Sequence, residues 1–374
     1  MVNNIKQQIS RNLINIPGFR TKRKIVVFES DDWGSIRMPS VKAYEALKKY
    51  GIPVHKSPYC KFDALESNTD MERLLDLLLS YKDFKGNPPI ITANTVVANP
   101  DFKRIKESNF KEYFYESFIE TLKRYPNHDK VEALYKKGLS EKIFFPQFHG
   151  REHVNVEMWM KLLSENENFQ FAFSQEMWGL SNDVFPNSKS IQATFDSNNE
   201  VFLANSVKEG LALFKEIFKY ESQSFIANNF IWGLALSKVL AENGVIHLQG
   251  MKYQKLPKVS TDKRKLVRHY LGEQNQYNQI YSIRNCSFEP SIDGESHKKT
   301  IKEIENAFFW NKPAVISTHR INFIGSLDAN NQINNLKEFK LLLTEILKKW
   351  PDVEFMTSMD LDKIMRDETI KLGF

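Results

Sequence analysis

KIVVFESDDWGS, residues 24–35, opens as a buried strand and closes on an acidic doublet. Lys24 to Phe28 is a short apolar, β-branched run of the kind that sits inside a parallel sheet. It leads directly into Glu29, Ser30 and then Asp31-Asp32. Working outward, similar runs predict strands at Pro89–Val97 (PIITANTVV), Ile143–Phe148, Phe169–Phe173, Ser224–Phe230, Val245–Gln249, Pro313–Thr318 (PAVIST) and Val353–Thr357. Helical spacing fills the intervals: 4–14, Val41–Tyr50 closed by Gly51, Asn68–Tyr81 capped by Asn68 or Thr69, Lys111–Arg124 and Lys130–Lys137. It continues with a helix from the His149–His153 segment to about Asn166, then Val201–Tyr220, Trp232–Asn243, His297–Trp310 and Leu336–Lys349. Lys255–Gly294 is polar and predicts no element. Strands alternating with helices imply a parallel α/β sheet covered on both faces.

Composition narrows the function. The chain has 374 residues, 41% hydrophobic and 26% charged, with 28 Phe, which is globular and not disordered. Its 52 Lys and Arg against 46 Asp and Glu give +6, read as spread along the chain, with Lys22-Arg23-Lys24 the densest cluster. No basic stripe interleaved with groove-entering elements is read, so no nucleic-acid partner is expected. Two cysteines, Cys60 and Cys286, with no CxxC, exclude a disulfide framework and argue against a cysteine zinc site. Neither a signal-peptide core nor a membrane span is visible, so the expectation is a cytoplasmic protein of unknown oligomeric state.

The polar residues that matter follow strand ends, where parallel sheets build their sites. Asp31-Asp32 is costly to bury without a cation, although acidic residues also cap helices. His149-Gly-Arg-Glu-His153 spaces two imidazoles at i, i+4, which on a helical turn puts both on one face to share an ion. It is not the HExxH pattern, because Gly150 stands where that motif needs Glu. His319 ends the PAVIST run, where a lone histidine can equally be structural.

Taken in this order, the motifs resemble those of the polysaccharide deacetylase family (NodB-homology, carbohydrate esterase 4-like). Glu29-Ser-Asp-Asp-Trp-Gly34 resembles its TFDDG-like motif, His149–His153 its H-[ST]-x-x-H spacing, and Ser317-Thr-His319 its strand-end L-x-H. Phe355-Met-Thr-Ser-Met-Asp-Leu361 resembles its F-x-T-x-x-E-L tail. The family's third motif, with its arginine, and its Asp-rich fourth motif are not found; Phe225–Trp232 falls where the third lies. The resemblance implies a distorted (β/α) barrel, TIM-like, of about seven strands, with residues 1–374 as one catalytic domain and loop insertions around 98–140 and 180–295. It implies Asp31 as catalytic base, His319 as general acid, and Asp32, His149 and His153 as ligands of one divalent metal. A carboxylate with two imidazoles suits Zn²⁺ first, then Co²⁺, Ni²⁺ or Mn²⁺. The expected activity is metal-dependent removal of an acyl group from an N- or O-acetylated carbohydrate. Trp33, Asn94, Arg151, Asn229, Trp232 and Arg320 are further candidates for contacting substrate. The alternatives are a glycoside hydrolase or lyase on the same barrel, and a non-catalytic glycan-binding protein.

Overall fold

The computed structural model describes residues 12–180, 184–185, 189–258 and 264–371. Its strands are β1 (Lys24–Trp33), β2 (Ile91–Thr95), β3 (Ala98–Pro100), β4 (Tyr115–Ser117), β5 (Phe144–Phe148), β6 (Ser224–Phe225) and β7 (His247–Gly250). They continue as β8 (Tyr253–Lys255), β9 (Leu266–Arg268), β10 (Ile280–Ile283), β11 (Cys286–Ser287), β12 (Ala314–His319) and β13 (Val353–Phe355). The main sheet runs β10-β7-β6-β5-β2-β1-β12-β11, with β13 paired to the start of β1. Every pairing within it is parallel. Its two edges are one continuous segment: the Arg284 N–H donates to the Gly250 carbonyl (3.0 Å) on one side and the Asn285 N–H to the Val315 carbonyl (3.1 Å) on the other. The sheet thus curls into a distorted α/β barrel of seven strand positions, β10 and β11 sharing one.

Alternation along β1 separates two environments. Val26 and Phe28 face helices, packing in one cluster with Leu74, Ile304 and Phe339. Ile25 and Val27 face the other way with Val315, Leu248 and Met356. Further along that second face stand Glu29 and Asp31, both buried. The barrel interior therefore passes from apolar to polar as it nears the strands' C-terminal ends.

Several expected elements differ. Phe169–Phe173 is helical, within Glu167–Ser174, and buries Phe169, Ala172 and Phe173. An apolar run with that i, i+3, i+4 stripe fits a helix as well as a strand. Of Lys111–Arg124 only Phe118–Arg124 is helix, capped by Ser117, while β4 occupies the preceding residues and pairs antiparallel with β3. The helix Asn68–Leu79 is capped by Ser67, which forms a capping box with Asp70. Most of 4–14 lies outside the described residues, though Asn12–Asn15 are helical. The unassigned Lys255–Gly294 stretch holds β9, β10, β11 and the short helix Pro290–Asp293.

The helix Glu200–Phe218 crosses the strand that delivers His149, and Gly210 allows the close approach. A Cβ there would lie 2.7 and 2.8 Å from Phe148 ring carbons. Gly210→Ala is expected to lose stability by about 1–2 kcal/mol in urea unfolding, overpacking outweighing the helix propensity gained. A more stable variant would show that Phe148 has room to move.

Candidate active site

Adjacent strand residues normally face opposite sides of a sheet. Asp31 and Asp32 nonetheless both line one cavity, because the β1–β2 register shifts between Ser30 and Trp33 and Asp32 takes a left-handed φ of 76°. Aspartate tolerates that conformation better than most residues. Asp31 lies opposite His319 in the β1–β12 ladder. His149 follows β5 directly, its N–H held by the Thr95 carbonyl at 3.0 Å. The His149–His153 segment is a loop, turned by Gly150 at φ 124°, and the next helix begins only at Val156. The two imidazoles therefore converge through a loop turn and not a helix face.

Asp32 Oδ1 lies 2.9 Å from His153 Nε2 and 3.5 Å from His149 Nε2. Asp32, His149 and His153 each offer one ligating atom within 4.8 Å of the others, all buried. A tetrahedral ion with bonds of about 2.0–2.1 Å would hold its ligand atoms roughly 3.3 Å apart, so the spacing fits one cation. His149 Nδ1 lies 2.9 Å from the Ile226 carbonyl, which assigns its proton there and leaves Nε2 as a lone-pair donor. Burial and the neighbouring Arg37 guanidinium, against the opposing pull of Asp32, lower His153 to about 4, so its imidazole is neutral. His153 Nδ1 and Asn228 Oδ1 are buried without hydrogen-bond partners among the described residues. Burial pushes Asp32 upward, but Arg37 and the two histidines outweigh it and hold the carboxyl well below its usual range.

Asp31 is held differently. Arg284 reaches both its oxygens at 2.6 Å through Nη1 and Nη2, and the Asn94 amide donates to Oδ1 at 2.7 Å. The same guanidinium donates through Nε to Glu29 at 2.7 Å. Burial opposes ionisation of Asp31, yet Arg284 overcomes it and the carboxyl stays below the usual range. His319 Nε2 stands 3.8 Å from Asp31 Oδ2, while its Nδ1 meets Glu289 Oε1 at 2.6 Å. Burial would lower the imidazole; Glu289, with Asp32 and Asp31 behind it, raises it to about 9.

The cavity between these groups is about 70 Å³, completed by Tyr59, Gln192, Ala227, Asn229 and Phe230. Liquid water takes about 30 Å³ per molecule and drug-sized ligands at least about 300 Å³, so it admits an acyl-sized group and not a whole sugar. Of the further candidates for contacting substrate, only Asn229 is on its wall. Trp33 packs against Phe144 and donates to Ser30, in the core. Asn94 is fully buried between Asp31 and Gln249. Arg151 turns to Glu152 and Glu209. Trp232 packs with Leu236 and Leu248. Arg320 is buried against Asp63 and Glu66.

Three functional neighbours escaped the sequence reading: Arg37, Arg284 and Glu289. Arg37 takes Asp32 Oδ2 at 2.9 Å, leaving Oδ1 towards the histidines, and sits between the Tyr59 and Trp178 rings. A signal existed for Arg284: buried carboxylates at 29 and 31 demand a buried cation, and Arg284 follows the apolar run of β10.

No protein-family model matches the sequence. No curated protein matches it either. Among solved structures, the chain is similar to a Mycobacterium smegmatis protein named as a polysaccharide deacetylase, at 11% identity and TM-score 0.45 over 94% of both chains. A Pseudomonas aeruginosa PAO1 protein with that name gives 10% identity and TM-score 0.42, over 91% of both chains. The 4-alpha-glucanotransferase of Thermococcus litoralis gives 10% identity and TM-score 0.43, over 90% of this chain and 40% of that one. Folds of this kind host several reactions, so function is argued from the site.

Proposed function

We propose that the chain is a metal-dependent hydrolase that removes an acyl group from an N- or O-acylated sugar. The observation that carries the reading is the convergence of Asp32, His149 and His153 beside an ionised Asp31 and a protonated His319 on one small cavity. A divalent cation held by that triad, Zn²⁺ by its donor set, supplies Lewis acidity to water and to the acyl oxygen. Asp31 then accepts the proton of the attacking water. Arg284 and Asn94 fix its orientation and keep it ionised, at the cost of some basicity. His319 carries a proton up to about pH 9 and donates it to the departing amine or alcohol. Tyr59, edge-on to His319 at 6.0 Å, closes that side of the cavity. The 70 Å³ volume takes the acyl end and leaves the sugar at the mouth, near Asn229 and Phe230.

A glycoside hydrolase needs one carboxyl kept protonated across the sugar from the other. Both carboxyls on this cavity are held ionised by arginines, which counts against that alternative. Metal analysis of the purified protein tests the proposal. About one equivalent of a transition metal is expected in the wild type and none in Asp32→Ala or His153→Ala, with acetate released from acetylated sugars by the wild type alone. A folded wild type that neither contains nor takes up Zn²⁺ would sink the reading.

A further inference from the structure

One hairpin gathers six of the cations of this chain. Lys252, Lys255, Lys258, Arg264, Lys265 and Arg268 stand on the described arms of the β8–β9 hairpin, residues 252–258 and 264–268, with no acid among them. Residues 6–24 also hold six cations and no acid, so the hairpin is one of two such stretches. Arg264 is committed to Asp196 at 2.7 and 2.8 Å. Lys252, Lys258, Lys265 and Arg268 form no ion pair among the described residues.

The same hairpin exposes apolar side chains. Its register places Tyr253 opposite Arg268 and Lys255 opposite Leu266, so these four share one face. The other face is packed inward, with Gln254 buried on the Trp232 carbonyl and His269. On the outward face Leu266 is 57% and Tyr253 42% exposed. Behind the hairpin opens a groove of about 890 Å³, walled by Leu203, Leu236, Leu256 and Pro257. Val201 and Leu234 line it, 73% and 56% exposed, with Lys258, Lys265 and Glu200, and with Lys238 paired to Glu242 at 3.7 Å. The helix Leu234–Glu242 points its first turn here, and no side chain caps it. The two are near along the chain: Asn229 and Phe230 line the small cavity, Gly233 and Leu234 the groove.

Cations alone would suit any polyanion. Exposed leucine, valine and tyrosine among them, beside an apolar groove of chain-accommodating size, suit a ligand that is anionic at one end and apolar at the other. We propose that this face docks on an anionic lipid bilayer, with lipid phosphates between Lys258 and Lys265 and one acyl chain in the groove. The active-site cavity is thereby held beside the membrane surface. The docking face stands independently of the hydrolase reading.

Flotation with vesicles tests it. The full chain is expected to float with phosphatidylglycerol–phosphatidylcholine vesicles, not with phosphatidylcholine alone, and to be released by salt. Lys258→Ala and Lys265→Ala should each lower partitioning about fivefold. Leu266→Ser and Leu234→Ser should each lower it on the order of tenfold. These side chains are exposed, so circular dichroism should not change, and Asp32→Ala should float like the wild type. Absence of flotation with the anionic vesicles would overturn the proposal. So would binding that ignores both serine variants and is matched by heparin or polyuridylate, which would mark a polyanion site instead.

Discussion

Arg284→Met is expected to cost the fold about 3–5 kcal/mol and to abolish activity together. The guanidinium is fully buried and spans Glu29 and Asp31, with further donation to Ser317 Oγ at 3.1 Å and Gln249 Oε1 at 3.3 Å. Methionine replaces its volume and none of its charge, so two buried carboxylates lose their counter-ion. In the wild type the Asp31 carboxyl lies below its unfolded value. Its contribution is present above about pH 4 and is lost as pH falls through the folded pKa. In the variant burial is opposed only by His149, His319 and the Asn94 amide and raises that pKa, so the sign reverses: the folded state takes up a proton, and stability declines as pH rises. Urea unfolding at pH 5 and pH 8 should show the gap between variant and wild type widening at pH 8. Arg284→Lys should recover only part, since one ammonium cannot form the paired contacts of the fork. Adding Asp31→Asn to Arg284→Met should recover part of the stability without activity, because one of the two unpaired charges is gone and the proposed base is gone with it. A variant as stable at pH 8 as the wild type would mean that water or a local rearrangement satisfies both carboxylates.

The same residue marks the limit of what the chain discloses. Strand ends were legible because short apolar runs are bounded by polar residues, and five of those residues, Asp31, Asp32, His149, His153 and His319, stand around one cavity. What surrounds them was not legible. A buried carboxylate at position 31 requires a cation, yet nothing local says which of 52 supplies it, and Arg284 is 253 positions away. Proximity in sequence misled in the opposite direction. Arg151 is two residues from both histidines, but Gly150 turns the chain and Glu152 captures its guanidinium. Asn94 is at a strand end beside the cavity and is consumed in holding Asp31. The i, i+4 spacing of the histidines reads as a helical turn, and the convergence it suggests is achieved by a loop that no periodicity encodes.

Glu289→Gln is expected to move the alkaline limb of kcat/KM down by about one to two pH units. Glu289 lies 2.6 Å from His319 Nδ1 and is itself fixed by the Asn322 amide at 2.9 Å on its other oxygen. Glutamine can still accept from Nδ1, so the ring keeps its orientation while the charge that stabilises the imidazolium is removed. Burial then dominates, and Asp31 and Asp32 hold up only part of the shift from 6.5 to about 9. The stability consequence has a definite sign. A histidine raised on folding contributes fully below pH 6.5 and loses that contribution as pH rises through about 9, so in the variant the contribution is smaller and is gone at a lower pH. Proton-detected titration of the His319 ring reports the same group without turnover. A ring that titrates lower in the variant while the alkaline limb stays in place would identify another residue as the acid. If instead both move together, the proton that leaves with the product is the one Glu289 holds on His319.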